Sequence, residues 1–361
     1  MTKHKKLSAA CTVALSAILT LNVCSAASHD EDSAALPSLN IDLTNVTVSG
    51  LSSGGYMATQ FHVAHSDWVK GSGALAAGPY YCAQGDITTA LAQCVNKTQD
   101  SMSPEELAKK AKQYEQQGKI AALTNLKDAK VWLFHGTQDT RIIGDVSNKL
   151  HQQYLTWTDT QNVKYINDKP IAHVFPTKNN GTNCMQSESP FIGNCDYDAA
   201  GDMLNHLIDD LTPPNDTLEG KVHTIDQQAI AGESAKTLAS EGFVFVPASC
   251  AEGNKCRVHI SFHGCNQYAD TVGDAYVTQT GINEWADDNH IVVVYPQTKK
   301  SLFMPLNPQG CWDWWGYASP DYANRDGAQI QAVTSIVKHL ASTHVTQDHQ
   351  HSAETQEAAH D

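Results

Sequence analysis

Apolar positions along this chain switch repeatedly between two spacings. Residues Asp42 to Ser49 alternate toward Val46 and Val48, as a strand does, and Gly54 to His65 then takes a helical spacing. The run Ala129 to Phe134 predicts a second strand, with a loop from His135 to Thr140. Gly144 to Trp157 has helical spacing, and Val163 to Ile166 is a short strand. Ala199 to Leu211 predicts an amphipathic helix stopped by Pro213 and Pro214. Gly242 to Pro247 and Arg257 to Phe262 are rich in β-formers, Gly281 to Asn289 reads as a helix, and His290 to Tyr295 as a buried strand. Gln329 to Leu340 predicts the last helix. Strands alternating with helices in this way imply an α/β class with a mostly parallel central sheet covered on both faces.

The two ends fall outside that pattern. Lys3, Lys5 and Lys6 precede an apolar run from Leu7 to Val23, and Cys24-Ser25-Ala26-Ala27 closes it with small side chains. Residues 1–27 thus have the layout of a secretory signal peptide, with a core short for a membrane span. Residues 28–39 are expected to form a flexible leader, 40–342 a catalytic domain, and 343–361 a disordered tail rich in histidine. No later segment is long and apolar enough to span a bilayer.

Export changes how charge and cysteine read. The net charge of −15 becomes −18 once residues 1–27, with three lysines and no acids, are removed. Such a surface repels phosphates, so nucleic acid is excluded as a partner. Of ten cysteines, Cys11 and Cys24 leave with the signal; the even remainder favours disulfides in an oxidising compartment, with the pairing left open among 105 arrangements. No C-x-x-C or histidine cluster with zinc spacing is present, and neither metal nor cofactor is expected. The protein is expected to act as a monomer, outside the cell or in the periplasm. Sequons stand at Asn45, Asn96, Asn180 and Asn215.

The strongest chemical signal is Gly50-Leu51-Ser52-Ser53-Gly54, a G-x-S-x-G between a predicted strand and a predicted helix. A nucleophile elbow needs that context: glycines let the chain turn sharply, and the serine hydroxyl is left exposed. A serine nucleophile needs a base, and the base an orienting acid. Asp139 follows the strand ending at Phe134 and His173 lies in the loop after the next strand, so Ser52, Asp139 and His173 come in the expected order. Asp145 is the rival acid, and His135 and His263 are the rival bases. Few residues precede Ser52, yet a strand ending in Phe262-His263-Gly264-Cys265 appears far downstream. A circular permutation, with the early strands moved to the end, accounts for this and makes the Ser53 and Cys265 N–H groups the oxyanion donors. A bond between Cys265 and Cys311 would hold that turn. The aromatic cluster at Trp312, Trp314, Trp315 and Tyr317, joined by Tyr80 and Tyr81, is read as an apolar rim for substrate, with Asp313 either orienting a tryptophan N–H or facing water.

Six segments together carry a family resemblance: Ser49–Met57, Gly78–Cys82, Ala172–Thr177, Pro190–Asp198, Phe262–Cys265 and Cys311–Trp314. Over about residues 40 to 342 the chain resembles the single-domain, circularly permuted poly(3-hydroxybutyrate) depolymerases of the α/β-hydrolase superfamily. The resemblance implies a secreted polyester hydrolase without a separate substrate-binding domain. It implies Ser52 as nucleophile, Asp139 as acid, His173 as base, and Ser53 and Cys265 as oxyanion donors. It also implies the disulfides Cys82–Cys94, Cys184–Cys195, Cys250–Cys256 and Cys265–Cys311. Tyr317 stands where members of the group can carry tryptophan, which implies a shift in substrate preference if that side chain meets polymer. Two alternatives stay open: a secreted carboxylesterase for soluble hydroxyacid oligomers or plant-wall esters, and a non-catalytic binding protein on a hydrolase fold.

Overall fold

A run such as Ile291–Tyr295, Ile-Val-Val-Val-Tyr, has no polar face to offer water, and it forms a strand buried on both sides. The computed structural model describes residues 36–97 and 103–357, all within one unit, Ala34–Asp361. The signal peptide expected at 1–27 lies outside the described residues.

Eleven strands follow in chain order: β1 Val46–Leu51, β2 Val69–Leu75, β3 Lys130–Phe134, β4 Val163–Ile166, β5 Phe175–Thr177, β6 Thr182–Asn183, β7 Ile192–Asn194, β8 Lys221–Asp226, β9 Glu241–Val246, β10 Arg257–Phe262 and β11 Ile291–Tyr295. The longer helices are α1 Ser53–Ala64, α2 Ile87–Gln93, α3 Pro104–Gln116, α4 Gly144–Tyr154 and α5 Ala199–Leu207. Short helices follow, α6 Gln227–Ala231, α7 Ala248–Ala251, α8 Ala269–Val272, α9 Ala275–Thr278 and α10 Ile282–Asp287, before α11 Ala328–Glu357. Eight strands form one sheet in the order β4-β3-β2-β1-β10-β11-β9-β8, parallel except where β9 pairs with β11 and β8. Counted from β8 as first strand, that order reads 1-2-4-3-5-6-7-8, so β8 to β11 are the early strands of an α/β-hydrolase sheet placed after the late ones. The seam is the parallel pairing of β1 with β10, where Gly50 faces Phe262.

Apolar residues collect in two clusters, one with Leu75, Trp132, Met203 and Ile282, the other with Val46, Met57, Phe61 and Ile336. The first lies under α5 and α10, the second under α1 and α11, so helices cover the sheet on both faces.

The structure adds β2, which the apolar pattern did not predict. Its Val-Lys-Gly-Ser-Gly-Ala-Leu sequence is weak for a strand, but α5 crosses it closely: a Cβ on Gly73 would lie 2.3 Å from Met203 Sδ. Leu39, assigned to the leader, is fully buried and donates its N–H to Thr343 Oγ1 at 3.1 Å. Helix α11 runs past Leu340 to Glu357, through most of the stretch expected to be a disordered tail. Its apolar face ends at Leu340, but no glycine or proline interrupts the residues beyond it.

Candidate active site

Ser52 sits at the junction of β1 and α1 with φ 58° and ψ −120°, a left-handed conformation costly for a residue with a Cβ. The surroundings hold it there. A Cβ on Gly50 would lie 2.3 Å from the Gly54 carbonyl, and one on Gly54 would lie 2.1 Å from the Phe262 oxygen. Only glycine at both positions lets the turn close against β10. Ser52 N–H donates to the Leu75 carbonyl at 2.8 Å, tying the turn to β2. Ser53 begins α1, where the first N–H groups have no intrahelical acceptor and the helix dipole favours negative charge.

Asp139 and His173 arrive from separate loops. Asp139 is buried beyond the end of β3, and its Oδ1 accepts the N–H groups of Arg141 at 2.8 Å and Ile142 at 3.0 Å. That leaves Oδ2 for His173 Nδ1, 2.7 Å away. With side-chain exposures of 0% for Asp139 and 6% for His173, the pair is nearly dry, and the carboxylate fixes the ring orientation so that Nε2 is the edge left for chemistry. The His173 backbone N–H donates to Ser187 Oγ at 2.9 Å, and Ala172 N–H to the Cys184 carbonyl at 3.0 Å. The small sheet β5-β7-β6 and the Cys184–Cys195 disulfide brace this loop.

Ser52, Ser53, His173 and Cys265 line one cavity of about 760 Å³. The turn after β10 closes one side: a Cβ on Gly264 would lie 3.6 Å from Ser52 Cβ. Gln267, almost fully buried, holds that turn; its Oε1 accepts Gly264 N–H at 2.7 Å and its Nε2 donates to the Pro190 carbonyl at 2.9 Å. The Cys265–Cys311 disulfide joins the turn to the tryptophan segment. The eight cysteines pair as 82–94, 184–195, 250–256 and 265–311, the arrangement implied by the resemblance.

The expected rim divides. Trp314, Trp315 and Tyr317 line the cavity, with Trp314 stacked on Tyr56 at 4.4 Å between ring centroids. Trp312 and Tyr80 do not belong to the cavity lining, which corrects the expectation that they meet substrate. Trp312 is wholly buried against Phe262 and His263, and its backbone N–H donates to Ser53 Oγ at 3.3 Å, so it packs beneath the elbow. Tyr80 is enclosed, with its hydroxyl donating to the Ala323 carbonyl at 2.6 Å. Asp313 neither orients an indole nor faces water. It is buried and accepts the backbone N–H groups of Gly316, Tyr317, Ala318 and Ser319, while burial pushes its pKa up to about 6.

The rival residues lie elsewhere. His135 Nε2 meets the Ile142 carbonyl at 2.8 Å, away from the cavity lining. His263 is wholly buried, its Nδ1 is 2.7 Å from the Gly264 carbonyl, and burial lowers its pKa to about 4. Asp145 stands in the first turn of α4. A second serine–histidine contact, Ser49 Oγ to His259 Nε2 at 2.7 Å, is sealed inside the sheet; with Thr47 on the other ring nitrogen it cross-ties β1 to β10 and has no route to substrate.

Sequence reasoning missed several lining residues. Ile87, Leu91, Met304 and Leu306 are exposed apolar side chains at the mouth, Tyr56 lies under Trp314, and Arg141 and Gln267 flank the loops of His173 and Cys265. The signal for the mouth was available: Leu302-Phe303-Met304-Pro305-Leu306 is an apolar run inside a polar stretch, and Phe303 is 82% exposed.

Comparisons with known proteins agree with this arrangement. A family model described as the prolyl oligopeptidase family matches residues 34–196. Poly(3-hydroxybutyrate) depolymerase of Delftia acidovorans is 37% identical over 310 residues, which is 85% of this chain; the chain spans 62% of that relative's length. Polyhydroxybutyrate depolymerase of Talaromyces funiculosus is 35% identical over 322 residues, 85% of this chain and 93% of that protein. The crystal structure of PHB depolymerase from Penicillium funiculosum matches with a TM-score of 0.80 at 35% identity, covering 86% of this chain and 99% of that one. A serine-to-alanine variant of a PHB depolymerase, complexed with an R3HB trimer, matches with the same TM-score of 0.80. Identity of this order over nearly the whole length of the Talaromyces protein, together with the shared fold, means that the chain belongs to the polyhydroxybutyrate depolymerase family.

Proposed function

We propose that this protein is a serine esterase that hydrolyses poly(3-hydroxybutyrate), or a related short-chain polyhydroxyalkanoate, through an acyl-enzyme on Ser52. The observation that carries the reading is the buried Asp139–His173 pair, 2.7 Å apart, opening on the cavity that Ser52 enters from its strained turn. His173 takes the Ser52 proton as Oγ attacks the ester carbonyl. The Ser53 and Cys265 N–H groups receive the developing oxyanion, and each such donor lowers the barrier by about 2.7–4 kcal/mol. The alcohol leaves with the proton from His173. Water activated by the same imidazole then attacks the acyl-enzyme and frees the acid.

Substrate choice rests on the lining. Trp314, Trp315 and Tyr317 with Ile87, Leu91 and Leu306 make a largely apolar cavity whose mouth stays apolar at the surface. A polyester strand gains at such a wall by burying its methyl and methylene groups. Four disulfides support export to an oxidising compartment, and no described helix is long and apolar enough to cross a membrane. The test is clearing of a polyhydroxybutyrate film by the wild type and by Ser52→Ala. Clearing by the wild type alone is expected. Equal clearing by both removes the mechanism, and cleavage of short soluble esters without clearing moves the assignment to a soluble-ester carboxylesterase.

A further inference from the structure

Arg141 is the one lysine or arginine among the described residues that line the cavity, in a protein of net charge −15. Its position is built. Its backbone N–H is one of the donors to Asp139 Oδ1, and its Nη2 donates to the Ser187 carbonyl at 3.2 Å. Its Cζ lies 5.3 Å from the Phe191 ring centroid. Ser187 is also the residue whose Oγ accepts the His173 N–H, so guanidinium and imidazole hang on one loop. A guanidinium carries five N–H donors in a planar fork, and the Ser187 contact leaves capacity to receive both oxygens of a carboxylate. The other charged group in the lining, Asp86, caps α2 by accepting Thr89 N–H at 2.7 Å.

The chemistry of a hydroxyacid ester gives this cation a use, provided the ester-hydrolase reading above holds. Each ester bond joins the acyl carbon of one unit to the hydroxyl oxygen of the next. Ser52 Oγ bonds to the acyl carbon, the bond from that carbon to the alkoxy oxygen breaks, and the alkoxy oxygen departs with the proton held on His173. The leaving segment therefore starts at His173 as a new alcohol and ends in whatever terminates the polymer on that side, a free carboxylate. When the leaving segment is short, that carboxylate falls on the His173 side of the cavity, where Arg141 stands. We infer that Arg141 receives the terminal carboxylate of a short leaving segment, so that the site trims soluble hydroxyacid oligomers from their free-acid end.

The experiment compares 3-hydroxybutyrate trimer as free acid with its methyl ester, using the full chain. The wild type is expected to favour the acid in kcat/KM, and that preference should weaken as salt is raised to about 0.5 M. Arg141→Gln should lower the acid-to-ester ratio about tenfold, mainly through KM for the acid, and Arg141→Lys should restore part of it. Using a ratio within one variant cancels differences in folding or active fraction. An unchanged ratio in Arg141→Gln, or a parallel fall on both substrates, overturns the assignment. Cleavage of neither trimer by a wild type that still clears film overturns the inference alone, whereas failure on film and on both trimers removes the ester-hydrolase reading and the inference with it.

Discussion

Acidification from pH 7 to 5 should destabilise this fold through buried histidines. His62, His259 and His263 are fully enclosed, and burial lowers their pKa values to about 3, 3 and 4. His65 is lowered to about 4, by burial first and then by the charge of Arg325. In the unfolded chain each titrates near 6.5, so the unfolded state takes up protons below that pH while the folded state stays neutral. The sign follows: the contribution is whole above about pH 6.5 and is lost as pH falls toward the folded values. At about 1.4 kcal/mol per pH unit, each enclosed ring loses about 2 kcal/mol by pH 5, and the three together about 6 kcal/mol. That is comparable with the whole net stability of many domains. His263 shows why the folded state resists: its Nε2 already accepts the Thr298 N–H at 3.2 Å, so a proton there must displace a buried bond. Urea unfolding at pH 7, 6 and 5 with the disulfides intact measures the effect. The slope of stability against pH should approach three to four protons below about pH 6, and His62→Leu should reduce it by about one. A flat profile from pH 7 to 5, or a full slope in His62→Leu, would refute the reasoning.

Three further outcomes test the site. Gly54→Ala must push its new Cβ against the Phe262 and His263 carbonyls, at 2.1 and 2.5 Å, so ester hydrolysis should collapse with a loss of about 1–3 kcal/mol in stability; a variant with wild-type turnover would contradict the elbow geometry. Gln267→Leu removes the acceptor that holds Gly264 N–H, so kcat should fall roughly ten- to a hundredfold with KM little changed, less than the loss of an oxyanion donor itself; a change confined to KM would argue against a role in holding the turn. Trp312→Ala should cost about 3–5 kcal/mol in unfolding because the ring fills the core, whereas Trp315→Ala should raise KM and hardly move the melting temperature; the reverse pattern would place substrate at Trp312.

The elbow was legible because its chemistry is local: Gly50, Ser52 and Gly54 lie within five residues, and the strain they permit is written in their spacing. The late strands β10 and β11 were legible for the same reason, β10 from its β-forming Val258, Ile260 and Phe262 and β11 as an unbroken apolar run. β2 was not, because its glycines Gly71 and Gly73 answer to Leu207 and Met203 on α5, more than a hundred residues away in sequence. The division of the aromatic cluster was equally hidden. Trp312 and Trp314 stand only two residues apart, yet Trp312 packs on Phe262 and His263 beneath the elbow while Trp314 stacks on Tyr56 at the cavity, and those partners come from distant parts of the chain. Arg141 escaped notice because one exposed arginine carries no pattern; it gained meaning from its loop partner, Ser187.

The permuted order sets a sequence of assembly. Thr47 and His259, which meet across the seam, are 212 residues apart, so β1 waits for nearly the rest of the chain before it gains its second neighbour. Each disulfide closes inside one side of that join: Cys82–Cys94 and Cys184–Cys195 before Pro213, Cys250–Cys256 and Cys265–Cys311 after it. Oxidation can therefore knit each half separately without linking the serine half to the half that carries the oxyanion turn. The meeting of Ser52 with the oxyanion turn therefore rests on the noncovalent pairing of β1 with β10, with no disulfide across that join.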